Sequence, residues 1–545
     1  MMKRLFILTI GFLSLAFSTE AAPPLRGIVP MKLADGTMTM PIAFRKAPQA
    51  DMCNSHSQSV ALQCAPPVAI ANGNYLPHTG NVRVLTILAA FQDLDFLVNN
   101  PVQAFDQYLN GEKQEDLGNM NHLNVASVRQ YFETCSHGKF SPQFDIVGPV
   151  TLPEKMSFYG GTKNNGSDDN FSDFCRDAMN QAKDLVPDWS IYDNDKDGNI
   201  ELVCVIYAGY GQNQGGADST LWAKASYKNL KLNDSLRISR FNCSPELFTP
   251  TKGESYDYSQ YINGTGVFIH EFSHCIGLPD LYATTSKAYV NNQGMEAYSI
   301  MDYGLYNYNG FAPCPYTAWE QEILGWTEIE EIQLTANSPQ PIAKLLPILE
   351  GGKAYKLVNG NNNRDFIIME NIQQRGLNRR AEAHGLLVYH VDYPYTIVNM
   401  TDAPNNNPGH PSVAVVPSGG LIISSYLRGE GKTYTKKQWL ESLKAVPFPG
   451  SKQVTSLTDE MQLPNYCFWD GKTSKETGFM LSGIAEDTES GAVSFTIAPN
   501  DPSDVSTIRW HKDSPMTVVY DLQGRKVTRP TSGVYILNGR MVVIK

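Results

Sequence analysis

Continuous apolar runs alternate with helix-period patterns between residues 80 and 327. Residues 82–91 and 201–208 are predominantly apolar runs rich in β-branched residues, which is typical of strands buried on both faces of a sheet. Apolar positions recur at helical spacing over residues 127–135 and 171–186. These segments predict an α/β or α+β domain with a twisted sheet over residues 80–327.

The pattern changes after residue 327. Short alternating runs are separated by clusters of Gly, Asn and Pro, for example at residues 359–364 and 405–411. This pattern predicts a β-sandwich-like domain over residues 328–500. His390 and Asp392 lie in one of these runs, and we expect a structural role for them because no further ligand cluster lies nearby.

The last segment, residues 501–545, is predicted to be a small β-module of its own. Its strands at residues 516–527 and 533–545 are broken at Gln523-Gly524 and at Asn538-Gly539, and Asn-Gly is a strong hairpin signal. The segment resembles the C-terminal sorting domain of Bacteroidota proteins exported by the type nine secretion system. That resemblance implies the type nine machinery as a partner and the surface or medium of a Gram-negative bacterium as the destination; the alternative is a terminal module without a sorting role.

The N-terminus has the pattern of a secretory signal peptide over residues 1–21. A basic start is followed by an apolar run from Leu5 to Phe17 and by small residues, and the run is too short to cross a bilayer. No later segment approaches the length of a transmembrane helix. We therefore expect a secreted or surface-held protein. Residues 22–79 are an N-terminal extension, either a linker or a propeptide that masks the active site.

The run H-E-F-S-H at residues 270–274 indicates a zinc site. On a helix, His270 and His274 lie one turn apart on the same face, so both imidazoles can reach one Zn²⁺. Glu271 points away from that face and suits a general base that accepts a proton from water. The spacing therefore predicts a catalytic metal site rather than a structural histidine pair.

A third zinc ligand is predicted at Asp280. Gly277 allows the chain to leave the helix in a left-handed turn, and Pro279 prevents the helix from resuming. The turn would bring Asp280 back toward the metal. The competing ligand is Glu296, but its surrounding segment is poor helix material because Gly294 and several asparagines interrupt it.

A second segment, Y-S-I-M-D-Y at residues 298–303, supports the same interpretation. Metzincin proteases follow the zinc helix with a tight turn whose methionine lies beneath the ligand imidazoles, and Met301 resembles that methionine. Tyr303 resembles the tyrosine that several metzincins use to stabilise the oxyanion. Taken alone, Met301 would be an ordinary core residue.

The zinc motif through Tyr282 resembles that of the immune inhibitor A family of secreted metallopeptidases, the sixth metallopeptidase family. Residues 81–93, 127–140 and 192–211 are also similar to it, and the likeness runs from about residue 80 to 330. The resemblance implies a metzincin-like zinc endopeptidase that is often stabilised by calcium, with Asp280 as the third ligand.

A calcium loop is predicted before the strand at 201–208. Oxygen-bearing side chains alternate around a glycine as in the first half of an EF-hand loop. The twelfth position is Cys204 rather than glutamate, so another segment would have to complete the site; the alternative is an acidic turn. The candidate ligands are Asp193, Asp195, Asp197, Asn199 and Glu201.

Charge and cysteine content narrow the functional classes. A net charge of −11 without a basic stripe argues against a nucleic-acid partner. The nine cysteines form an odd set, so at least one stays unpaired; Cys53 and Cys64 bracket a short polar loop and are a candidate pair, and Cys204 is expected to be buried.

The sequence predicts a secreted zinc endopeptidase that acts on proteins or peptides. One alternative is a non-catalytic surface adhesin on the same scaffold, although the intact Glu271 favours an enzyme. Another is a protease directed at glycoproteins, with residues 328–500 recognising sugar.

Overall fold

A computed structural model of the chain describes residues 19–21, 75–115, 117–161, 168–248, 261–285, 287–288, 292–333, 339–423 and 434–500, and five short pieces at 506–508, 519–521, 525–527, 533–537 and 540–544. Most of the predicted signal peptide, residues 22–74 of the N-terminal extension, and the candidate pair Cys53 and Cys64 lie outside the described residues.

A six-stranded sheet forms the centre of the N-terminal half. Its strands are β1 (Thr19–Ala21), β2 (Gly80–Ala90), β3 (Phe140–Thr151), β4 (Asn199–Tyr210), β5 (Lys224–Lys231) and β6 (Arg237–Leu247). Their order is β1-β5-β6-β4-β2-β3. The pairs from β6 to β3 are parallel, whereas β5 and β1 are antiparallel additions. The strands predicted at 82–91 and 201–208 are confirmed as β2 and β4.

Helices cover both faces of this sheet, as continuous apolar strands require. The helices of this half are α1 (Pro101–Asn110), α2 (Val128–Cys135), α3 (Met156–Tyr159), α4 (Phe171–Ala182), α5 (Thr265–Cys275) and α6 (Ala318–Ile323), of which α6 packs against β10 (Asn362–Ile372) in the second half of the chain. Alternate residues of β4 point to opposite faces: Cys204 packs with α1, α2 and α5, and Val205 packs with α4. The predicted helices at 127–135 and 171–186 are confirmed as α2 and α4, and Cys204 is buried as expected. The fold is mixed α/β.

The chain beyond residue 327 is rich in short strands, as predicted. They are β7 (Glu330–Glu331), β8 (Gln340–Leu345), β9 (Ala354–Asn359), β10 (Asn362–Ile372), β11 (Gly385–Asp392), β12 (Val413–Val415), β13 (Phe468–Asp470), β14 (Thr473–Lys475), β15 (Phe479–Glu486) and β16 (Val493–Pro499), with one helix, α7 (Lys436–Leu443). Five strands form a sheet in the order β12-β11-β10-β9-β7, three form a sheet in the order β15-β16-β8, and β13 pairs with β14.

The five-stranded sheet contributes to two cores. Ile368 and Tyr389 belong to the same apolar cluster as the zinc-motif helix α5, whereas Ile367 and Val388 pack with the three-stranded sheet. The predicted boundary at residue 327 stays a prediction, but an apolar core crosses it.

The C-terminal pieces form a separate five-stranded sheet. Its strands are β17 (Ser506–Ile508), β18 (Val519–Tyr520), β19 (Lys526–Val527), β20 (Gly533–Leu537) and β21 (Arg540–Ile544). Leu537 pairs with Arg540, so the hairpin predicted at Asn538-Gly539 is confirmed. Among the described residues, no helix is long and apolar enough to cross a membrane.

Candidate metal centre

The helix that carries the H-E-F-S-H motif lies entirely inside the protein. All eleven residues of α5 are buried. At its start, the Thr265 N–H donates to Asn124 Oδ1 over 2.9 Å. Position 266 of this helix has to be glycine, because the Leu305 carbonyl oxygen packs so closely that an added Cβ would lie 1.9 Å from it. The packing fixes α5 between the sheet and the segment that contains Tyr303.

Backbone carbonyls orient both histidines. His270 Nδ1 lies 2.8 Å from the Ile300 carbonyl oxygen, and His274 Nδ1 lies 2.7 Å from that of Leu278. A carbonyl can only accept, so each Nδ1 carries the proton and each Nε2 keeps its lone pair. This is the tautomer that a metal ligand needs, held by the kind of partner that metal-binding histidines use.

The helix ends in the turn that the sequence predicts. Gly277 has a φ of 108°. Its N–H donates to the His274 carbonyl over 2.9 Å, and the Leu278 N–H donates to that of Ser273 over 3.1 Å. These two bonds define a Schellman motif, in which a left-handed glycine closes the helix. The chain then reverses and places Asp280 beside the two histidines.

Three side-chain atoms converge at the end of this turn. Asp280 Oδ1 lies 3.3 Å from His270 Nε2 and 3.4 Å from His274 Nε2. Within the part of the chain that the structure describes, none of the three atoms has a hydrogen bond of acceptable geometry, and all three residues are buried. Buried polar atoms without partners are costly, and a bound cation would satisfy all three together. The donor set therefore fits a metal ion, and two imidazoles with a carboxylate suit zinc.

The charges at this cluster keep the Asp280 carboxylate deprotonated. Burial acts to raise the pKa of Asp280, but the electrostatic attraction of the adjoining His274 and His270 side chains outweighs burial and holds this pKa well below its usual range. Burial lowers the pKa of His270. Burial also acts to lower the pKa of His274, but the carboxylates of Asp280 and Glu271 raise it overall. Asp280 is thus an anion, which a divalent metal requires.

Glu271 lies in the same buried region as the three converging atoms. Its charge is close enough to raise the pKa of His274, and it adds to the effect of burial in raising the pKa values of Tyr207 and Tyr306. Tyr306 accepts a hydrogen bond from the Asn213 side-chain amide over 3.2 Å. The sequence analysis did not identify these two tyrosines, since neither belongs to the local motif.

Met301 and the turn after α5 are joined through the backbone. Met301 is fully buried, and its carbonyl accepts from the Leu281 N–H over 2.8 Å. Its own N–H donates to Ser299 Oγ over 2.9 Å. These bonds fix Met301 next to the residue that follows Asp280.

Tyr303 begins a 3₁₀ helix, Tyr303–Gly310. Its N–H donates to Asp302 Oδ1 over 2.7 Å, and its ring contacts those of Tyr306 and Trp439 with centroids 5.4 and 4.9 Å apart. Trp439 lies on α7, far away in sequence. No local signal could have identified it as a neighbour of the site.

Glu296, the competing third ligand, lies outside the converging cluster. It has a φ of 50° in a short 3₁₀ turn, Glu296–Tyr298, and its N–H donates to Asp302 Oδ2 over 2.7 Å. Trp439 Nε1 donates to its Oε2 over 3.4 Å. The structure thus brings Asp280, and not Glu296, to the histidines.

The candidate calcium loop brings three carboxylates together. Oxygens of Asp193, Asp195 and Asp197 lie within 4.8 Å of one another. Glu201 is turned toward the backbone of the loop and accepts from the N–H groups of Asn194 and Asp195 over 3.1 and 3.2 Å. The Asn199 N–H donates to Asp197 Oδ1 over 2.7 Å. The hydrogen bonds to Glu201 therefore stabilise the backbone conformation of the loop.

His390 and Asp392 do not pair with each other. His390 Nε2 lies 2.7 Å from Asp365 Oδ1, and Asp392 Oδ2 lies 2.7 Å from His410 Nε2. Neither residue belongs to a group of candidate metal ligands among the described residues.

Comparison with protein families gives a match that includes His270, His274 and Asp280. Residues 76–325 match the model of the immune inhibitor A peptidase M6 catalytic domain. This M6-like region includes α5, Asp280 and Met301, and it starts and ends near the limits predicted from the sequence.

Curated relatives agree with the M6-like assignment. The chain is 25% identical over 301 residues to a pre-pro-metalloprotease, PrtV, of Vibrio cholerae, and the match covers 48% of this chain and 32% of that protein. It is 24% identical over 249 residues to an immune inhibitor A of Bacillus thuringiensis, covering 38% of this chain and 34% of the relative. The chain thus spans about a third of the length of the curated relatives it matches.

Proposed function

We propose that the chain is a zinc-dependent endopeptidase. The observation that carries this proposal is the convergence of His270 Nε2, His274 Nε2 and Asp280 Oδ1 in a buried site. The match of residues 76–325 to a peptidase catalytic domain supports the same reaction class. Proteins or peptides are the proposed substrates.

His270, His274 and Asp280 would hold the metal. When bound there, zinc would supply Lewis-acid chemistry for the attack of water on a peptide carbonyl. Glu271 accepts the proton of the attacking water and returns it to the nitrogen of the leaving amine. The burial of this region excludes bulk water and strengthens every electrostatic interaction within it.

Tyr303 is the proposed donor to the oxyanion. Its backbone is fixed by Asp302, and its ring is held between Tyr306 and Trp439. A preorganised hydroxyl donor is effective in a dry site because it needs no reorientation as negative charge develops.

We also propose a calcium ion at the loop of Asp193, Asp195 and Asp197. Burial and then the charges of Asp197 and Asp193 raise the pKa of Asp195, so a cation would relieve repulsion among the three carboxylates. Its role is structural, because the loop leads directly into the core strand β4.

We further propose that the protein is exported. A signal peptide over residues 1–21 and sorting of the β-module at residues 501–545 would bring the enzyme to the cell surface or the medium of a Gram-negative bacterium.

The test is peptide hydrolysis by the purified chain before and after zinc removal. A zinc-selective chelator is used in excess calcium, so that any calcium site stays filled. We expect hydrolysis to stop with the chelator and to return when zinc is added back. Undiminished hydrolysis by a chain shown to be free of metal would contradict the proposal.

A further inference from the structure

The residue that follows Asp280 is held by a side chain from the β-rich region, residues 328–500. The Leu281 N–H donates to the Met301 carbonyl over 2.8 Å, within the M6-like region. The Leu281 carbonyl accepts from Asn405 Nδ2 over 2.7 Å. Asn405 lies in a short 3₁₀ turn, Pro404–Asn406, between β11 and β12. Both backbone polar groups of Leu281 are therefore bound, one by each region of the chain.

The side-chain amide of Asn405 has only one possible orientation. Its Oδ1 accepts from the N–H groups of Ser412 and Val413 over 2.8 and 3.0 Å. Its Nδ2 donates to the carbonyls of Leu281 and Val413 over 2.7 and 2.8 Å. A backbone N–H can only donate and a carbonyl can only accept, so the amide cannot exchange its oxygen and nitrogen. Asn405 is also fully buried, and all four of its hydrogen-bonding positions are used.

Two further asparagines extend this contact between the regions. Asn406 Oδ1 accepts from the N–H groups of Thr284 and Thr285 over 2.7 and 3.2 Å. From the other side, Asn292 Nδ2 donates to the carbonyl of Asn405 over 2.5 Å. The segment after the third candidate ligand is thus bonded to the β-rich region at several points, which restricts its movement.

Asp280 is the candidate ligand whose position depends most on this segment. His270 and His274 are fixed by the buried helix α5, whereas Asp280 lies in the turn that follows it. The Asp280 carboxylate approaches the histidines only while the backbone of this turn keeps its place. Partners behind the ligands of a metal site commonly change metal affinity by 10–100-fold when they are replaced.

We propose that Asn405 is a positioning residue for Asp280, with Asn406 as a second one further along the same segment. The β-rich region thereby contributes to metal binding, although His270, His274 and Asp280 all lie in the M6-like region. The inference rests on the proposed zinc site.

The test is the zinc dissociation constant of the full chain, measured by competition with a chromophoric chelator. Asn405→Asp keeps the shape of the side chain and can still accept from Ser412 and Val413, but its second oxygen cannot donate to Leu281. We expect the dissociation constant to rise about 10-fold. The visible spectrum of the chain loaded with Co²⁺ in place of zinc should also change, because it depends on the coordination geometry.

Asn371→Asp is the matched control. Asn371 on β10 is also buried, and its Nδ2 donates to the carbonyls of Leu345 and Gly491 over 2.7 and 2.8 Å. Both variants should lower the melting temperature of the zinc-free chain, whereas Asn371→Asp should leave the zinc dissociation constant and the Co²⁺ spectrum unchanged. An equal rise of the dissociation constant in both variants, or no rise in Asn405→Asp, would overturn the inference.

A second variant decides the question if Asn405→Asp does not fold, as judged by circular dichroism. Asn406→Ala removes the bonds to Thr284 and Thr285 from a partly exposed position. It should raise the zinc dissociation constant about 3-fold, and an unchanged constant would overturn the inference.

Zinc binding by the wild type separates this inference from the proposed function. A wild-type chain that binds zinc but hydrolyses no peptide would contradict the peptidase alone, because the effect of Asn405→Asp on zinc affinity would still support the positioning role. A wild-type chain that binds no zinc would contradict both.

Discussion

At the scale of single residues, the orientation of His270 and His274 depends on two backbone carbonyls. Ile300 and Leu278 provide them, and each fixes an imidazole so that Nε2 faces Asp280. The helical period predicts that the two histidines share a face, and Gly277 with Pro279 predicts the turn. The partner Ile300 could not be predicted, because every residue has a backbone carbonyl and the sequence does not show which one lies beside His270.

The hydroxyl of Tyr303 is predicted to act in catalysis rather than in folding. Tyr303→Phe should lower kcat by about 100-fold with little change in KM, as expected on losing one oxyanion donor. Tyr298→Phe is the control, because that hydroxyl donates to the Leu443 carbonyl over 2.6 Å and holds α7 in place. It should lower stability while kcat changes little. Equal losses of kcat in the two variants would argue against the catalytic role of Tyr303.

At the scale of elements, α5 is held by what packs around it. Its core-facing residues, the close contact between Gly266 and Leu305, and the turn that returns to Met301 all restrict its position. Apolar runs predicted β2 and β4 well because both faces of these strands are largely buried, and helical periodicity predicted α2 and α4 because one face of each helix is buried. The short α7 was missed; its Trp439 contacts Tyr303 only because the chain returns to the site.

The loop before β4 is predicted to bind calcium. Millimolar calcium should raise the melting temperature by roughly 2–5 °C, since a ligand that binds only the folded state stabilises it. Asp195→Asn should abolish this response, whereas Asp234→Asn, which changes an exposed carboxylate, should preserve it. Thermal melts with and without calcium provide the measurement. An equal response in all three chains would contradict a calcium site at this loop.

Glu370 links β10 to α6 and is predicted to make stability depend on pH. Burial raises its pKa from 4.5 to about 7, although the Ala318 N–H and Tyr389 hydroxyl donate to it. Because the folded pKa is the higher one, its stabilising contribution is complete below about pH 4.5 and is lost as pH rises through about 7. In the Glu370→Gln variant, the glutamine side chain is neutral at every pH of the experiment. The free energy of unfolding of the wild type relative to Glu370→Gln should therefore fall by up to about 3 kcal/mol between acidic and alkaline pH.

Denaturant unfolding of both chains at a series of pH values checks this prediction. Burial also raises the pKa values of Glu201 and Glu246, but both residues are present in both chains, so their contributions cancel in the difference. A difference that stays constant with pH would show that Glu370 does not titrate in this range.

At the scale of the whole molecule, one apolar core joins α5 to the strands beyond residue 327. Ile368 and Tyr389 belong to it together with Phe272 and Trp319. The change of pattern near residue 327 correctly predicted a β-rich region. The alternation of polar and apolar residues could not reveal that one face of that region packs on the M6-like part, because periodicity shows that a face is buried but not against what.

A fragment that ends at residue 327 is therefore predicted not to fold stably. Because this fragment lacks the five-stranded sheet, the core around Trp319 and Tyr316 would be exposed. Large exposed apolar patches favour aggregation. A fragment that ends at residue 500 keeps both cores and should melt cooperatively. Expression of both, followed by gel filtration and thermal melts, makes the comparison. A soluble, cooperatively melting fragment ending at 327 would show that the M6-like region is independent.

The central claim is that Glu271 transfers the proton in hydrolysis at a metal held by His270, His274 and Asp280. The most direct measurement is the peptide hydrolysis rate of Glu271→Gln at full zinc occupancy, compared with the wild type. Glutamine keeps the size of the side chain but cannot accept the proton, so the rate should fall by about 10²–10⁴-fold while zinc content is unchanged. A zinc-loaded Glu271→Gln chain that cleaves peptides at the wild-type rate would contradict the account.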